Sequence, residues 1–418
     1  MRPISGGIDF GTSNSTVGVM EGSEPRLVAL EEKHVTMPSA IFFNFEDDQT
    51  YFGRRAIADY AANAEGRLLR ALKSVLGSSL IHEKTRVKTR QMAFSEIISG
   101  FLGHLKARLD SHVGEPVERV VLGRPVHFVD ENADADRDAQ DQLEKAAREQ
   151  GFTDIAFQFE PIAAALDYER SVNREELALI VDIGGGTSDF SIVRVSPERA
   201  RAVDRKDDIL ANRGVHIGGT DFDRLLSVAH LMPELGYGTP TRDGKRNLPV
   251  SYFVNLATWQ RIHQLYTPKA MSDLRQIRYE AERPDLVERM IDVVQQRQGH
   301  ALAGKVEQAK IDLTDQASST IDVRLSDETL NIPVSRAELD ETIAIAVGRI
   351  VDVVGQTLHD AQVPAERITT LFLTGGSTAI GLLRQSICDL FPSASVVNGD
   401  VFGSVGLGLT LDARRKFG

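Results

Sequence analysis

A chain of 418 residues, 42% apolar and 26% charged, is long enough to bury a large core and to divide into at least two domains. Its formal charge of −12 argues against a nucleic acid or an anionic membrane as the main partner, because both need a positive field. The single cysteine, Cys388, excludes an intrachain disulfide and a cysteine-based zinc site. No run approaches the ~18 apolar residues of a membrane span. The N-terminus reaches Asp9 without an apolar signal region, so a cytoplasmic location is expected by elimination.

In the first stretch, Ile4–Met20, an apolar residue leads to Asp9, then Gly11, then the hydroxyls of Thr12, Ser13, Ser15 and Thr16, and then another strand-like run. Pro25 to Phe52 reads as strands broken at Pro38 and at the polar Asn44–Gln49. Apolar spacing over Ala56–Leu76 predicts a helix, with Lys73 near its end, where a cation suits the macrodipole. Met92–Leu109 predicts a second amphipathic helix, and Val117–Val126 a buried strand ended by Pro125. Asp134–Gln150 reads as a charged helix stopped by Gly151. Pro161 fits the first position of an apolar helix, which leaves Glu160 at its N-terminus, either capping it or pointing into a site. The polar Glu169–Glu176 reads as a lobe boundary. The expected domains are 1–172, 173–398, and a closing helix within 399–418 that packs back on the first lobe.

Leu177–Val193 repeats the logic of the first stretch. An apolar run enters Asp182, Gly184, Gly185 and Gly186 follow, and Thr187 and Asp189 precede a second β-branched run. A continuous apolar run ended by a turn signal fits a buried strand. Three glycines let backbone amides approach an anion, although a plain glycine-rich turn has the same composition. Two stretches with the order apolar–Asp–x–Gly–polar, about 170 residues apart, predict a duplicated architecture with one hairpin per lobe. Further on, Gly218 and Gly219 form a strand-to-helix turn, and Trp259 reads as packing in a helix. Glu307 and Lys310 share a helix face, where such a pair is ordinarily a solvated salt bridge. Ser335 opens a capping box for a helix to about Gln362. Thr369–Thr378 is a third strand–glycine–hydroxyl turn, suited to a nucleoside or phosphate, and Asp400 precedes a small-residue helix. Together these predict a cleft in which two hairpins hold phosphates and Asp9 and Asp182 hold Mg²⁺.

The chain resembles the ATPase domain of the 70-kDa heat-shock chaperones (DnaK type), within the actin/sugar-kinase/heat-shock superfamily, and among them the bacterial YegD-like proteins. Ile8–Ser15, Leu179–Asp189 and Leu373–Thr378 match the two phosphate motifs and the adenosine motif; Phe159–Leu166 and Ile217–Asp223 match the two interlobe elements. The resemblance implies an α/β fold with two actin-like (ribonuclease H-like) lobes and a slow ATPase using ATP/ADP and Mg²⁺. It implies that Lys73 orients the attacking water, Glu160 positions water, Thr187 meets the γ-phosphate, and Asp9 and Asp182 lie on the metal side. It places nucleotide contacts at Gly11, Thr12, Ser13, Asn14, Gly184, Gly185, Gly186, Gly218, Gly219, Glu307, Lys310, Thr314, Gly375, Gly376, Ser377 and Asp400. Ile311 and Ala379 depart from it, standing where the family commonly has arginines on the adenine. Asp141 replaces an interlobe arginine, and the segment between Asp223 and Glu307 is longer than usual. No peptide-binding sandwich follows the last helix, so the expected output is a client or co-chaperone met in trans. A nucleotide-sensing adaptor and a small-molecule kinase of the same superfamily are the alternatives.

Overall fold

The computed structural model describes residues 4–62, 64–129, 132–169, 172–202, 204–398 and 403–418. The first part of the chain forms β1 (Ser5–Phe10), β2 (Asn14–Glu21), β3 (Glu24–Leu27), β4 (Thr36–Pro38), β5 (Ala40–Asn44), β6 (Thr50–Phe52), α1 (Gly53–Ala61) and β7 (Gly66–Arg70). It continues through β8 (Lys84–Val87), β9 (Arg90–Ala93), α2 (Phe94–Val113), β10 (Arg119–Arg124), α3 (Ala133–Glu149), β11 (Asp154–Phe159) and α4 (Glu160–Glu169). The second part opens with β12 (Glu176–Ile183), β13 (Ser188–Val195), β14 (Ile209–Val215), α5 (Gly219–Leu226), α6 (Val250–Ala257), α7 (Pro268–Glu280), α8 (Pro284–Gln295) and α9 (Gly299–Asp315). It closes with β15 (Ser318–Arg324), β16 (Thr329–Ser335), α10 (Arg336–Ala361), β17 (Thr370–Thr374), α11 (Gly381–Cys388), β18 (Ser395–Asn398) and α12 (Ser404–Phe417).

The expected duplication is present in the strand order. One sheet runs β3-β2-β1-β10-β11 and the other β14-β13-β12-β17-β18. Both begin with two antiparallel pairs and end with two parallel ones. A helix makes each final parallel crossover, α3 in the first sheet and α11 in the second, as parallel neighbours require. Each lobe has its own core, around Phe10, Phe101 and Leu105 in the first and around Phe190, Phe222 and Ile343 in the second. No helix among the described residues is long and apolar enough to cross a membrane.

Between the sheets lies α4, whose sequence Ile-Ala-Ala-Ala-Leu is apolar on every side, as a helix buried all round must be. Ile162, Ala164 and Leu166 pack on Ile180, Val193 and Phe372 of the second sheet, while Ala163 packs with Val121, Leu409 and Ala413. The closing helix α12 crosses α4 at Gly408, where any Cβ would run into the Ala163 carbonyl, so this crossing needs glycine. Ser335 caps α10 by accepting from the Glu338 amide, while Glu338 accepts in return from the Ser335 amide at 2.8 Å.

One expectation is corrected. The helix predicted over Ala56–Leu76 ends at Ala61; Gly66 opens strand β7, in which Leu69 is buried, and a 3-10 turn over Leu72–Val75 follows. Alternating burial at Leu68 and Leu69 mimics helical spacing over so short a run. Trp259 lies in a helix as expected, a 3-10 helix running to Leu265. Within the polar Glu169–Glu176 segment, the Glu169 carboxylate is buried and held bidentately by Arg205 at 2.7 and 2.8 Å.

Candidate active site between the lobes

Sheet register determines where the acids stand. In the β1–β2 hairpin Asp9 lies opposite Thr16, and in the β12–β13 hairpin Asp182 lies opposite Asp189. Each aspartate therefore ends a buried strand just before its turn. Glu160 joins them from the first residue of α4, directly after β11. Lys73 reaches the same place from its 3-10 turn, which the left-handed Ala71 (φ 55°) introduces, and its Nζ donates to Glu160 Oε1. The sequence leaves Glu160 either as a cap or as a site residue; the ion pair with a lysine 87 positions away puts it in the cluster.

Three carboxylates face one ammonium, and the electrostatics follow. Burial, then the charge of Glu160, pushes Asp9 up to about 8, with Lys73 pulling the other way. Burial and Glu160 also raise Asp182. Burial lowers Lys73, but Glu160, Asp9 and Asp182 more than compensate, so it stays a cation. Asp189 is pushed up to about 7 by burial and then by Asp182. The sequence reading passed over Asp189 as a site residue. Its signal was available, since a four-residue turn between Ile183 and Ser188 sets it across from Asp182.

The excess negative charge and all-oxygen donors fit Mg²⁺, a hard cation that keeps much of its water. Among the described residues no group of three or more His, Cys, Asp or Glu side chains could enclose an ion alone. A metal here would be held by Asp9 and Asp182 together with water and a phosphate, the usual arrangement for Mg²⁺.

The glycine turns surround this cluster. Gly11 and Thr12 form the tip of the first hairpin, and Asn14 begins β2; Ser39 Oγ donates to the Gly11 carbonyl at 2.6 Å and holds the tip. Ser13 Oγ accepts the Gly185 amide of the other hairpin at 3.1 Å, so the two turns touch across the cleft. The Gly184 amide donates to the Thr187 carbonyl at 2.9 Å, closing the second turn through Gly186. Gly219 and Thr220, at the start of α5, donate amides to Gly184 and Gly185, and Gly218 lies against Gly185 so closely that a Cβ would clash. Gly375 (φ 80°) passes over the Ile183 carbonyl in a conformation that favours glycine, and Gly376 starts the next turn, from which Ser377 Oγ donates to Gly184 at 3.3 Å.

Lys310 corrects the expected solvated pair with Glu307. It is buried, its partner is Asp223 at 2.7 Å, and it also donates to the Gly219 carbonyl at 3.1 Å. Asp223, raised to about 6 by burial against the pull of Lys310, was not among the expected site residues. Glu307, one turn earlier, lines a chamber of about 250 Å³ with Asp223, Thr220 and Gly186. Thr314 turns its hydroxyl back to the Ile311 carbonyl at 2.7 Å, and Ile311 is exposed. Asp400 lies outside the described residues.

Paired hairpins with carboxylates at their strand ends, meeting at one cleft, form an arrangement whose chemistry suits a phosphate chain and its counter-ion. The chain matches the family described as Hsp70 protein over residues 5–245 and 280–411. It belongs to the Hsp70 family. As an Hsp70 chain it is an ATP-binding protein with the two-lobed actin-like fold, and the phosphate hairpins, Lys73, Glu160 and Gly375–Ser377 all fall inside the matched segments. Residues 246–279, which carry α6, Trp259 and most of α7, fall outside them.

Proposed function

We propose that this Hsp70-family chain is a slow Mg²⁺-dependent ATPase that acts as a chaperone, or a chaperone-like regulator, on a partner protein met in trans. The Lys73–Glu160 ion pair, set among Asp9, Asp182 and Asp189 at the junction of two phosphate hairpins, supports this reading most directly. Bound Mg²⁺ would neutralise phosphate charge as it builds. The hairpin amides and the Ser13 and Thr187 hydroxyls hold the phosphates, Lys73 adds a fixed positive charge, and Glu160, held by Lys73, aligns a water toward the γ-phosphorus. In the overall step that water forms a bond to phosphorus, the bond to the ADP oxygen breaks, and a proton is released to solvent. Ile311 and Ala379 offer an aliphatic and a small surface in place of cation–π contacts, so base affinity is expected to be weaker than phosphate affinity. Phosphate release by the purified chain, compared with Lys73→Ala and Asp182→Asn, tests this. Equal rates in all three would overturn the enzymatic reading.

A further inference from the structure

Beside Asp182 stands a side chain that the phosphate chemistry above does not use. β12 and β17 are parallel, and their register sets Asp182 next to Thr374, the last residue of β17. Paired residues of neighbouring strands point to the same face of a sheet, so the Thr374 hydroxyl and the Asp182 carboxylate emerge together at the strand ends. Thr374 is buried, and its Oγ1 has no well-formed hydrogen bond to any described residue. Buried hydroxyls are ordinarily bonded, so this one stands out. Burial, then Glu160, raises Asp182, and the Thr374 hydroxyl pulls against both, which puts it within reach of the carboxylate. The next residue, Gly375, passes so close that a Cβ would stand 2.9 Å from Asp182 Oδ1.

The first lobe has no counterpart. There β10 takes the place of β17, and the register of Ile8 with Leu122 carries Gly123 to the position beside Asp9. Gly123 has no side chain to offer, so of the two metal-side aspartates only Asp182 has a hydroxyl in the parallel strand next to it. On its other flank Asp182 faces Asp189, and the two charges repel. A neutral donor on the opposite flank steadies a carboxylate pressed in that way.

We propose that Thr374 is a positioning residue whose hydroxyl donates to the Asp182 carboxylate and holds it aimed into the cleft for Mg²⁺. The proposal rests on the Mg²⁺–nucleotide reading given above. Lys73 attracts the same carboxylate, so loss of the hydroxyl lets Asp182 swing toward that ammonium. A carboxylate held by such an outer donor is ordered before the ion arrives, and removing donors of this kind typically costs roughly 10–100-fold in metal affinity.

The experiment compares the full chain with Thr374→Val, which keeps the branched shape without the hydroxyl, and with Thr374→Ser, which keeps the hydroxyl without the methyl. Calorimetric titration with a non-hydrolysable ATP analogue at several Mg²⁺ concentrations reads the Mg²⁺ needed for half-maximal binding. Thr374→Val is expected to need about tenfold more Mg²⁺, and Thr374→Ser to stay within about twofold of the unaltered chain. Binding of the analogue without Mg²⁺ should be the same in all three. A packing role gives the reverse order, since serine leaves a cavity and valine does not. Equal Mg²⁺ requirements in the three chains, or a requirement raised more by serine than by valine, overturn the proposal. Crystal structures of the metal-free variants give a second readout: Asp182 should keep its rotamer in Thr374→Ser and change it in Thr374→Val. An unmoved Asp182 in Thr374→Val overturns the positioning role. If the unaltered chain binds no analogue at any Mg²⁺ concentration, the nucleotide reading fails, while the rotamer comparison still decides whether Thr374 holds Asp182.

Discussion

The two lobes repeat one strand order but not one chemistry. Both put an aspartate at the end of the central strand, yet Asp9 faces Thr16 whereas Asp182 faces Asp189. The first turn offers hydroxyls, Thr12 and Ser13; the second offers the bare backbone of Gly184, Gly185 and Gly186. Where they meet, Ser13 Oγ accepts from the Gly185 amide, so one lobe supplies the side chain and the other the main chain. The duplicated sheet places two turns face to face, and divergence within the turns makes them complementary. What differs more, the helices α6 to α8, lies off the sheets altogether.

Several substitutions would break that division of roles. Lys73→Ala should have the largest effect, since it leaves Glu160, Asp9 and Asp182 without their only lysine. Stability should fall by about 3–5 kcal/mol in urea unfolding, and phosphate release by at least about 100-fold. Adding Glu160→Gln to that variant should recover much of the stability and none of the turnover. Gly185→Ala comes next. Its Cβ would lie 2.5 Å from Ser13 Oγ, pushing the turns apart, and calorimetry should show nucleotide binding weakened about tenfold. Ser13→Gly in the same chain should restore part of the loss if the two turns work as a complementary pair.

A pH series sharpens the comparison without mutation. Asp9 is raised to about 8 and Asp189 to about 7, so between about pH 4 and 8 these two groups hold more protons in the folded chain than in the unfolded one. Their contribution to stability is fully present below the ordinary carboxylate pKa and is lost as pH rises through these folded values, on the order of 1–3 kcal/mol in the metal-free chain. Thermal melts from pH 5 to 8.5 would show it, and Asp9→Asn should flatten the slope. The smallest effect belongs to Ser39→Ala. This loses the 2.6 Å bond to the Gly11 carbonyl and the 2.9 Å contact with Ser15, about 1 kcal/mol by denaturant titration.

How much of this was legible in the sequence depended on range. Asp9, Asp182 and the three glycine turns announce themselves because strand, acid and glycine are adjacent in the chain. The capping box at Ser335 is equally local. The contact of Arg70 with Trp259 is not: the two lie 189 positions apart, and nothing short-range in either segment names the other. Lys310 shows the same limit, because its helix neighbour Glu307 is the obvious partner and the distant Asp223 is the actual one. Between Ala56 and Leu76 the failure was of another kind, since a strand and a 3-10 turn in succession carry apolar residues at spacings a helix would also give.

The helix α4 joins two distant ion pairs. It is ten residues long, about 15 Å, with Glu160 at one end and Glu169 at the other. Glu169 is riveted to Arg205 of the second lobe, and through it to Asp208, while Glu160 continues directly from β11 of the first. The helix is therefore a shaft clamped at opposite ends by the two halves of the molecule. One helix thus ties the Arg205–Asp208 cluster of the second lobe to the Lys73–Glu160 pair of the first over about 15 Å.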